Sequence, residues 1–363
     1  MRQSILAKKT IKCKIVGLTN IKRKLLETEY NNLQKFLRGE DAELYSVNRQ
    51  QAVRYYHKIL GKAKKEYPIS IRKDLIQVEK RYTKIAKYWF RIRVRGRRKM
   101  WVAIKPHQEI PEDIRFCESK ILKKGNNFFV YLTVEKEVKI KQEYNDVLAI
   151  DIGIRHIASV VQMSTYKPIF YGKELRRIRG HYFYLRKKLG KKKALETIKK
   201  IGRKESRIVN GYLHKISREI VEQAIRTNSL ITIGNLKGIR RQNKGRKFNR
   251  KLNTFPYFKL AKYTKYKAEW LGIKVVEIPE AYTSQLCHRC GEKGIRIKGL
   301  FKCKCGLEDN SDRNGAINIG KRALGYISKV GGVSELPLNS AETTELLKVA
   351  VQDLVEKSPL LVR

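Results

Sequence analysis

Residues 147–156, VLAIDIGIRH, constrain the fold of this chain more than any other stretch. An unbroken apolar run from Val147 to Ile150 ends on Asp151 and is followed at once by Ile152 and Gly153. A strand that is apolar on both faces belongs in the middle of a sheet covered on both sides, as in parallel α/β sheets. A carboxylate inside such a strand is costly unless it is paired or binds a metal. Two readings are open from these residues alone. Asp151 either starts a turn at the strand end or is a metal-binding carboxylate at the centre of the sheet, and partner carboxylates elsewhere decide between them.

Charge identifies the class of partner. Against 34 acidic side chains stand 82 Lys and Arg, a formal net charge of +48 in 363 residues. Self-repulsion on that scale makes sense beside a polyanion. The cations run along nearly the whole chain, so nucleic-acid surface is expected on several domains and for more than one strand. A chain of this length supports two or three domains. No apolar stretch approaches the roughly 20 residues that span a bilayer, and MRQSILAKKTIKC at the N-terminus lacks the apolar core and cleavage site of a secretory signal. Six cysteines are too few for a disulfide scaffold here, and four of them cluster at metal-ligand spacing, which implies a reducing, intracellular setting. Cys13 and Cys117 stand alone as ordinary core thiols.

In chain order, residues 9–18 alternate as a strand, and helical spacing then places Leu25, Leu26, Tyr30, Leu33 and Leu37 on one face, stopped by Gly39. Further helices are predicted over 46–61 and 70–87. Tyr55, Tyr56, Tyr82, Tyr88 and Trp89 lie among basic residues there, a composition suited to stacking on bases while cations meet phosphates. Residues 90–137 read as strands with turn signals at Gly96 and Gly125-Asn126. Beyond the strand bearing Asp151 and a second strand, SVVQM, a basic helical region is predicted over 173–226, broken near Gly190 and Gly202. A strand over 229–239 follows. The cation run at 240–251 then offers Arg240, Arg241, Lys244, Arg246, Lys247 and Arg250 for phosphate contact. A helix over 256–271 and a strand, GIKVVEIPEAY, complete this region.

Cys287 and Cys290 form a C-x2-C pair, and Cys303 and Cys305 a C-x-C pair after twelve intervening residues. Four thiolates suit a tetrahedral structural Zn²⁺, with Gly291 and Gly306 supplying sharp turns. His288 is an alternative ligand but is expected to be exposed. With four thiols committed, no coordination position is open for catalysis.

After the cysteines comes LEDNSDRNGAINIGKRA, in which Asp312 precedes small and apolar residues suited to a helix packed closely on a sheet. The order of a strand ending in D-I-G, the NLKGI element, YTSQ-C-x2-C, C-G and D-x-N-x-A-x-N-I resembles TnpB, the transposon-associated RNA-guided endonuclease. It is also similar to the Fanzor proteins and compact type V CRISPR effectors. The resemblance covers residues 146–323. It implies an α/β RNase H-like (RuvC) nuclease domain over 146–285 and 307–324, with a zinc-binding insert over 286–306. An N-terminal wedge-like β-barrel is expected over 1–19 and 90–140, carrying a helical recognition insert over 20–89, with a C-terminal tail over 325–363. It further implies two Mg²⁺ ions, a guide RNA of the omega type, double-stranded target DNA and no membrane. The expected location is the prokaryotic cytoplasm at the nucleoid, or the nucleus for a Fanzor; the chain length favours the former.

Asp151 matches the first family acid and Asp312 the last. The middle one departs: most relatives carry Glu in a sequence like I-V-x-E-D-L, and here that position is Gly234, in ITIGNLKGI. Asn235 is neutral and points to the other face. Either the centre is inactive and the protein is an RNA-guided DNA binder, or the acid has moved to Glu280 in IPEAYTSQ, as in one branch of the family. Glu280 is otherwise an exposed strand-end acid. Glu277 is a rival inside the strand, and Asp309 a weaker candidate that serves the loop. Relocation is the leading expectation because a two-metal centre needs a third carboxylate. A transposase in its own right is the least favoured, since no nucleophilic tyrosine context or second acidic triad is present.

Overall fold

The computed structural model describes residues 4–96, 98–236, 245, 248–250, 255–325, 349–352 and 354. The chain divides into two compact units, one formed by Leu6–Glu137 and the other by Met1–Ile5 together with Val138–Arg363.

The first unit contains strand β1 (Ser4–Val16), helices α1 (Asn20–Arg38) and α2 (Ser46–Tyr56), and strands β2 (Ile69–Ile71), β3 (Val78–Lys80), β4 (Tyr88–Val94), β5 (Arg98–Pro106), β6 (Arg115–Lys124) and β7 (Asn127–Lys139). Its seven strands form one sheet in the order β2-β6-β7-β1-β5-β4-β3. Helix α1 starts where the Thr19 hydroxyl accepts from Lys22 N and ends at Gly39, whose φ of 90° closes the last turn. Its buried stripe is Leu26, Tyr30, Leu33 and Leu37. Buried Glu29 accepts from Tyr45 N (3.0 Å), Asn48 Nδ2 (2.7 Å) and Arg95 N (3.0 Å), which fixes both α2 and the β4–β5 turn against α1.

The helix expected over 70–87 is replaced by two short edge strands. Ile71, Leu75 and Val78 are spaced as on a helix, but Ile69–Ile71 pairs with β6 and Val78–Lys80 with β4. The edges of a sheet with unpaired backbone groups outweigh the local pattern. The second predicted helix stops at Tyr56 and gives way to a 3-10 turn, His57–Ile59.

The second unit is built on strands β8 (Asp146–Asp151), β9 (Ala158–Gln162) and β10 (Pro168–Tyr171), helices α3 (Lys173–Lys191) and α4 (Leu195–Arg226), strand β11 (Ser229–Asn235), helix α5 (Tyr257–Trp270) and strand β12 (Val275–Pro279). The short strands β13 (Ile295–Ile297), β14 (Leu300–Lys302) and β15 (Glu308–Asn310) and helix α6 (Ser311–Ala323) follow. The main sheet runs β10-β9-β8-β11-β12. β8, β11 and β12 are parallel, and β9 is antiparallel to β8. Both β8 and β11 are buried along nearly their whole length, as the apolar run required.

Helix α4 passes through Gly202 without a break; the predicted interruption lies at 192–194, between α3 and α4. One interior glycine costs a helix about 1 kcal/mol, little against a face that buries Val209, Leu213, Ile216, Ile220, Val221 and Ala224.

Candidate active site

Register brings the first elements of the site together. Ile233 on β11 pairs with Ile150 on β8, so one step further Gly234 lies level with Asp151 at the centre of the sheet. On its other side Gly234 pairs with Ile278, and Asn235 with Pro279, where β12 ends. The chain then leaves the ladder at Glu280 and enters a turn.

The Glu280 side chain fills the space that a side chain at Gly234 would need. A Cβ built on Gly234 would lie 1.8 Å from Glu280 Oε1, 2.5 Å from Cδ and 2.6 Å from Cγ. A residue with any side chain at 234 is therefore incompatible with this position of Glu280. Glu280 Oε1 is buried and has no hydrogen-bond partner. Glu277, by contrast, is exposed and pairs with Lys265 at 3.5 Å.

Asp312 comes from the first turn of α6. Asn310 caps that helix, its Oδ1 accepting from Asp312 N (2.9 Å) and Arg313 N (3.4 Å). Asp312 is 6% exposed; its carboxylate accepts from His156 Nδ1 at 2.9 Å and faces Arg296 Nη2 at 3.4 Å. Small residues let α6 approach the sheet: a Cβ on Gly315 would stand 2.8 Å from Asp151 Oδ2.

The carboxyls also act on one another electrostatically. Burial, and then the Asp312 charge, push the Asp151 carboxyl up to about 7. Burial, and then the Asp151 charge, push Glu280 up to about 8. Asp151 thus stands against both Asp312 and Glu280, the last with an unpartnered buried oxygen, a donor set that divalent cations relieve. Asp151, Glu280 and Asp312 are the residues that can hold such ions.

The thiols also meet. The sulfurs of Cys287, Cys290, Cys303 and Cys305 all lie within 4.8 Å of one another, a cluster able to hold a metal such as zinc. Gly291 and Gly306 adopt φ of 79° and 83°, the left-handed turns expected at these positions. Around the thiols the core is small, with Phe301 and Leu307 packed on Cys287. So little apolar burial does not hold β13–β15 together by itself. Substituting Cys290 by Ser, or extracting metal with a strong chelator, is expected to abolish hydrogen-exchange protection at Cys287 N and Cys303 N. The amides of α4 should keep theirs, and mass spectrometry of the exchanged protein reads the difference.

His288 is not exposed as expected. It is buried, with its amide donating to Asn314 Oδ1 at 2.9 Å and its ring 3.0 Å from the same oxygen. Asn314 and Asn318 both donate to Leu286 O at 2.7 Å, and Asn318 also donates to Thr283 O at 2.8 Å. Sequence reasoning passed over these asparagines. Their signal was two poor helix formers at i and i+4 in a small-residue helix. Asp309 accepts from Arg313 and from Asn310 N, and so serves its loop.

Of the residues expected to bind nucleic acid, Tyr82 is 81% exposed and Tyr55 is open, with the Arg54 guanidinium 5.6 Å from its ring centre. Tyr56 instead turns inward: it donates to Pro68 O at 2.9 Å and packs on Tyr67. Tyr88 is buried in β4, and Trp89 is half-buried. Arg250 stacks 3.9 Å from the Phe183 ring centre. Arg240, Arg241, Lys244, Arg246 and Lys247 lie outside the described residues, as does most of the predicted tail. Among the described residues no helix is long and apolar enough to cross a membrane.

Comparison with known proteins bears on both halves of this unit. A family model described as a probable transposase, OrfB_IS605, matches residues 129–240, and one for the Cas12f1-like TNB domain matches residues 257–319. Over these residues the chain is similar to TnpB-like and Cas12f proteins. The CRISPR-associated endodeoxyribonuclease Cas12f2 of Micrarchaeota archaeon is 34% identical over 221 residues, which are 54% of this chain and 40% of that one. A TnpB-like protein of Methanocaldococcus jannaschii is 29% identical over 209 residues, 52% of this chain and 73% of that one. The match thus spans less than half the length of the Cas12f2 relative. The cryo-EM structure of a Cas12f1–sgRNA–target DNA complex shares the fold, with a TM-score of 0.53 at 15% identity over 83% of this chain and 82% of that one.

Proposed function

We propose that the protein is an RNA-guided DNA endonuclease with a single RuvC-like, RNase H-type centre that hydrolyses DNA phosphodiesters with two Mg²⁺ ions. The observation that carries this reading is the Glu280 carboxylate in the space above Gly234, beside Asp151. An inactive descendant has no reason to keep an unpartnered acid buried against another acid, because that arrangement costs stability. Magnesium bound there supplies a charge clamp on the scissile phosphate and lowers the pKa of the attacking water.

The protein's own contribution is placement. Asp151, at the end of a central strand, would hold the ions together with Glu280, just after β12, and Asp312 on α6. His156 and Arg296 hold the Asp312 carboxylate in one orientation. A guide RNA pairs with one DNA strand while the protein reads a short flanking motif and backbone shape. Tyr55, Tyr82 and Arg250 contribute to nucleic-acid contact, and the zinc ion is structural.

The second reading, a guided DNA binder that does not cut, rests on Gly234 standing where most relatives have Glu. Purified ribonucleoprotein tested on a plasmid carrying the target separates the two: linear product in Mg²⁺ and none with chelator supports the endonuclease, while tight binding with intact plasmid supports the binder. Sequencing the RNA that copurifies tests guidance itself.

Metal occupancy should also show in pH dependence. Asp151 and Glu280 titrate at about 7 and about 8 in the fold, well above ordinary carboxyls, so their contribution to stability is full below about pH 4. It is lost as pH climbs through 7 and 8. The apo protein should therefore lose stability over that range, and the Mg²⁺-induced rise in Tm should be larger at pH 8 than at pH 5.5. Thermal melts with and without Mg²⁺ read this directly; a Mg²⁺ effect equal at both pH values contradicts it.

A further inference from the structure

Glu280 sits where the sheet no longer holds the chain. The parallel ladder ends at the Asn235–Pro279 pair, and β12 is the edge strand. Pro279 has no amide hydrogen, and residue 280 is beyond the register. A glutamate on β11 would be fixed by neighbours on both sides, whereas one after β12 needs other support. A metal ligand must be held within about 0.5 Å of its productive position.

Four hydrogen bonds supply that support, and two come from the Arg322 side chain. In the last turn of α6, Arg322 Nη1 donates to Pro279 O at 2.8 Å and to Ala281 O at 2.6 Å. The two carbonyls flank Glu280. On the other side Thr283 donates to Glu280 O from its amide at 3.2 Å and from its hydroxyl at 2.9 Å. Tyr282, between Ala281 and Thr283, has a φ of 64°, a conformation that non-glycine residues hold only where surrounding contacts impose it. Lys321, just before Arg322, reaches His288 O at 2.6 Å, so consecutive cations on α6 tie down both ends of the segment from β12 to the cysteines.

We propose that Arg322 is a positioning residue that clamps the backbone on both sides of Glu280 and so holds a carboxylate carried outside the sheet in the metal site. Arg322 contacts neither metal nor substrate. The proposal rests on Glu280 being a metal ligand. It also couples the site internally, because α6 then carries Asp312 at its first turn and the clamp on Glu280 at its last.

The test uses the full chain with its copurifying RNA and reads Mn²⁺ binding by the concentration that gives half of the maximal rise in Tm, alongside cleavage rate. Arg322→Ala is expected to raise that concentration about 10- to 100-fold, the usual range for losing a group that orients a ligand. Arg322→Lys, whose ammonium can still donate to both carbonyls, should recover most of the loss. In a Glu280→Gln background, Arg322→Ala should change Mn²⁺ binding no further, since the group it positions is gone. An Arg322→Ala protein within twofold of the parent overturns the proposal. So does an effect that persists undiminished in the Glu280→Gln background, which marks a general structural role. If Glu280→Gln alone leaves Mn²⁺ binding unchanged, the metal site itself is wrong and the clamp falls with it. If instead Glu280→Gln weakens binding and Arg322→Ala does not, only the clamp is refuted.

Discussion

Adding one methyl group at Gly234 is expected to stop DNA cleavage, although it removes no acid. The new Cβ of Gly234→Ala would stand 1.8 Å from Glu280 Oε1, far inside contact distance, so the carboxylate must leave. Losing a metal ligand should cost about 1,000-fold or more in rate, equivalent to about 4 kcal/mol of transition-state stabilisation. Stability should move the other way. Glu280 is held where burial and the Asp151 charge oppose its ionisation, so its expulsion relieves an unfavourable arrangement and the apo Tm should stay level or rise. Initial cleavage rates with saturating Mg²⁺, beside thermal melts, separate this outcome from simple misfolding. Cleavage at the parental rate would mean that Glu280 is not in the site.

Glu280→Gln should be as severe, by a different route. The amide keeps the shape of the carboxylate and removes its charge, so the backbone path and the packing against Gly234 survive. Cleavage is expected to fall by about 1,000-fold or more, while guide and target binding, measured by gel shift, stay near the parental level. Above pH 8 the apo variant should melt higher than the parent, because the repulsion between residues 280 and 151 is gone. A variant that cuts normally would move the third acid elsewhere and leave a guided binder as the better description of the native centre.

The two predictions mark how far the sequence could be read. Asp151 was legible because an unbroken apolar run ending on an acid has few folded solutions. The cysteines were legible because ligand spacing is local, and Asp312 because small residues behind it announced close packing of a helix on a sheet. Glu280 could be suspected from a missing partner at 234. That its side chain occupies the volume freed by Gly234 depended on the parallel register of β8, β11 and β12 and on the path after Pro279, neither of which is local. The same limit explains Arg322, whose meaning lies in two carbonyls some forty positions away.

Misreadings have the same origin. Residues 69–80 carry apolar spacing compatible with a helix, yet sheet edges claimed them. His288 looked exposed beside two cysteines, and Asn314 instead draws it into the interior. Tyr56 shares its neighbourhood with Tyr55, but the two side chains leave the helix about 100° apart, and the Pro68 carbonyl holds Tyr56 inside.

Location of the metal tests the account most directly. Crystals of the protein soaked in Mn²⁺ at pH 8 should give anomalous difference density between the carboxylates of Asp151, Glu280 and Asp312. The density at Glu280 should vanish in Gly234→Ala crystals treated alike. Density that Glu280 does not contact in the parent protein, or none at all among these three acids, would contradict it.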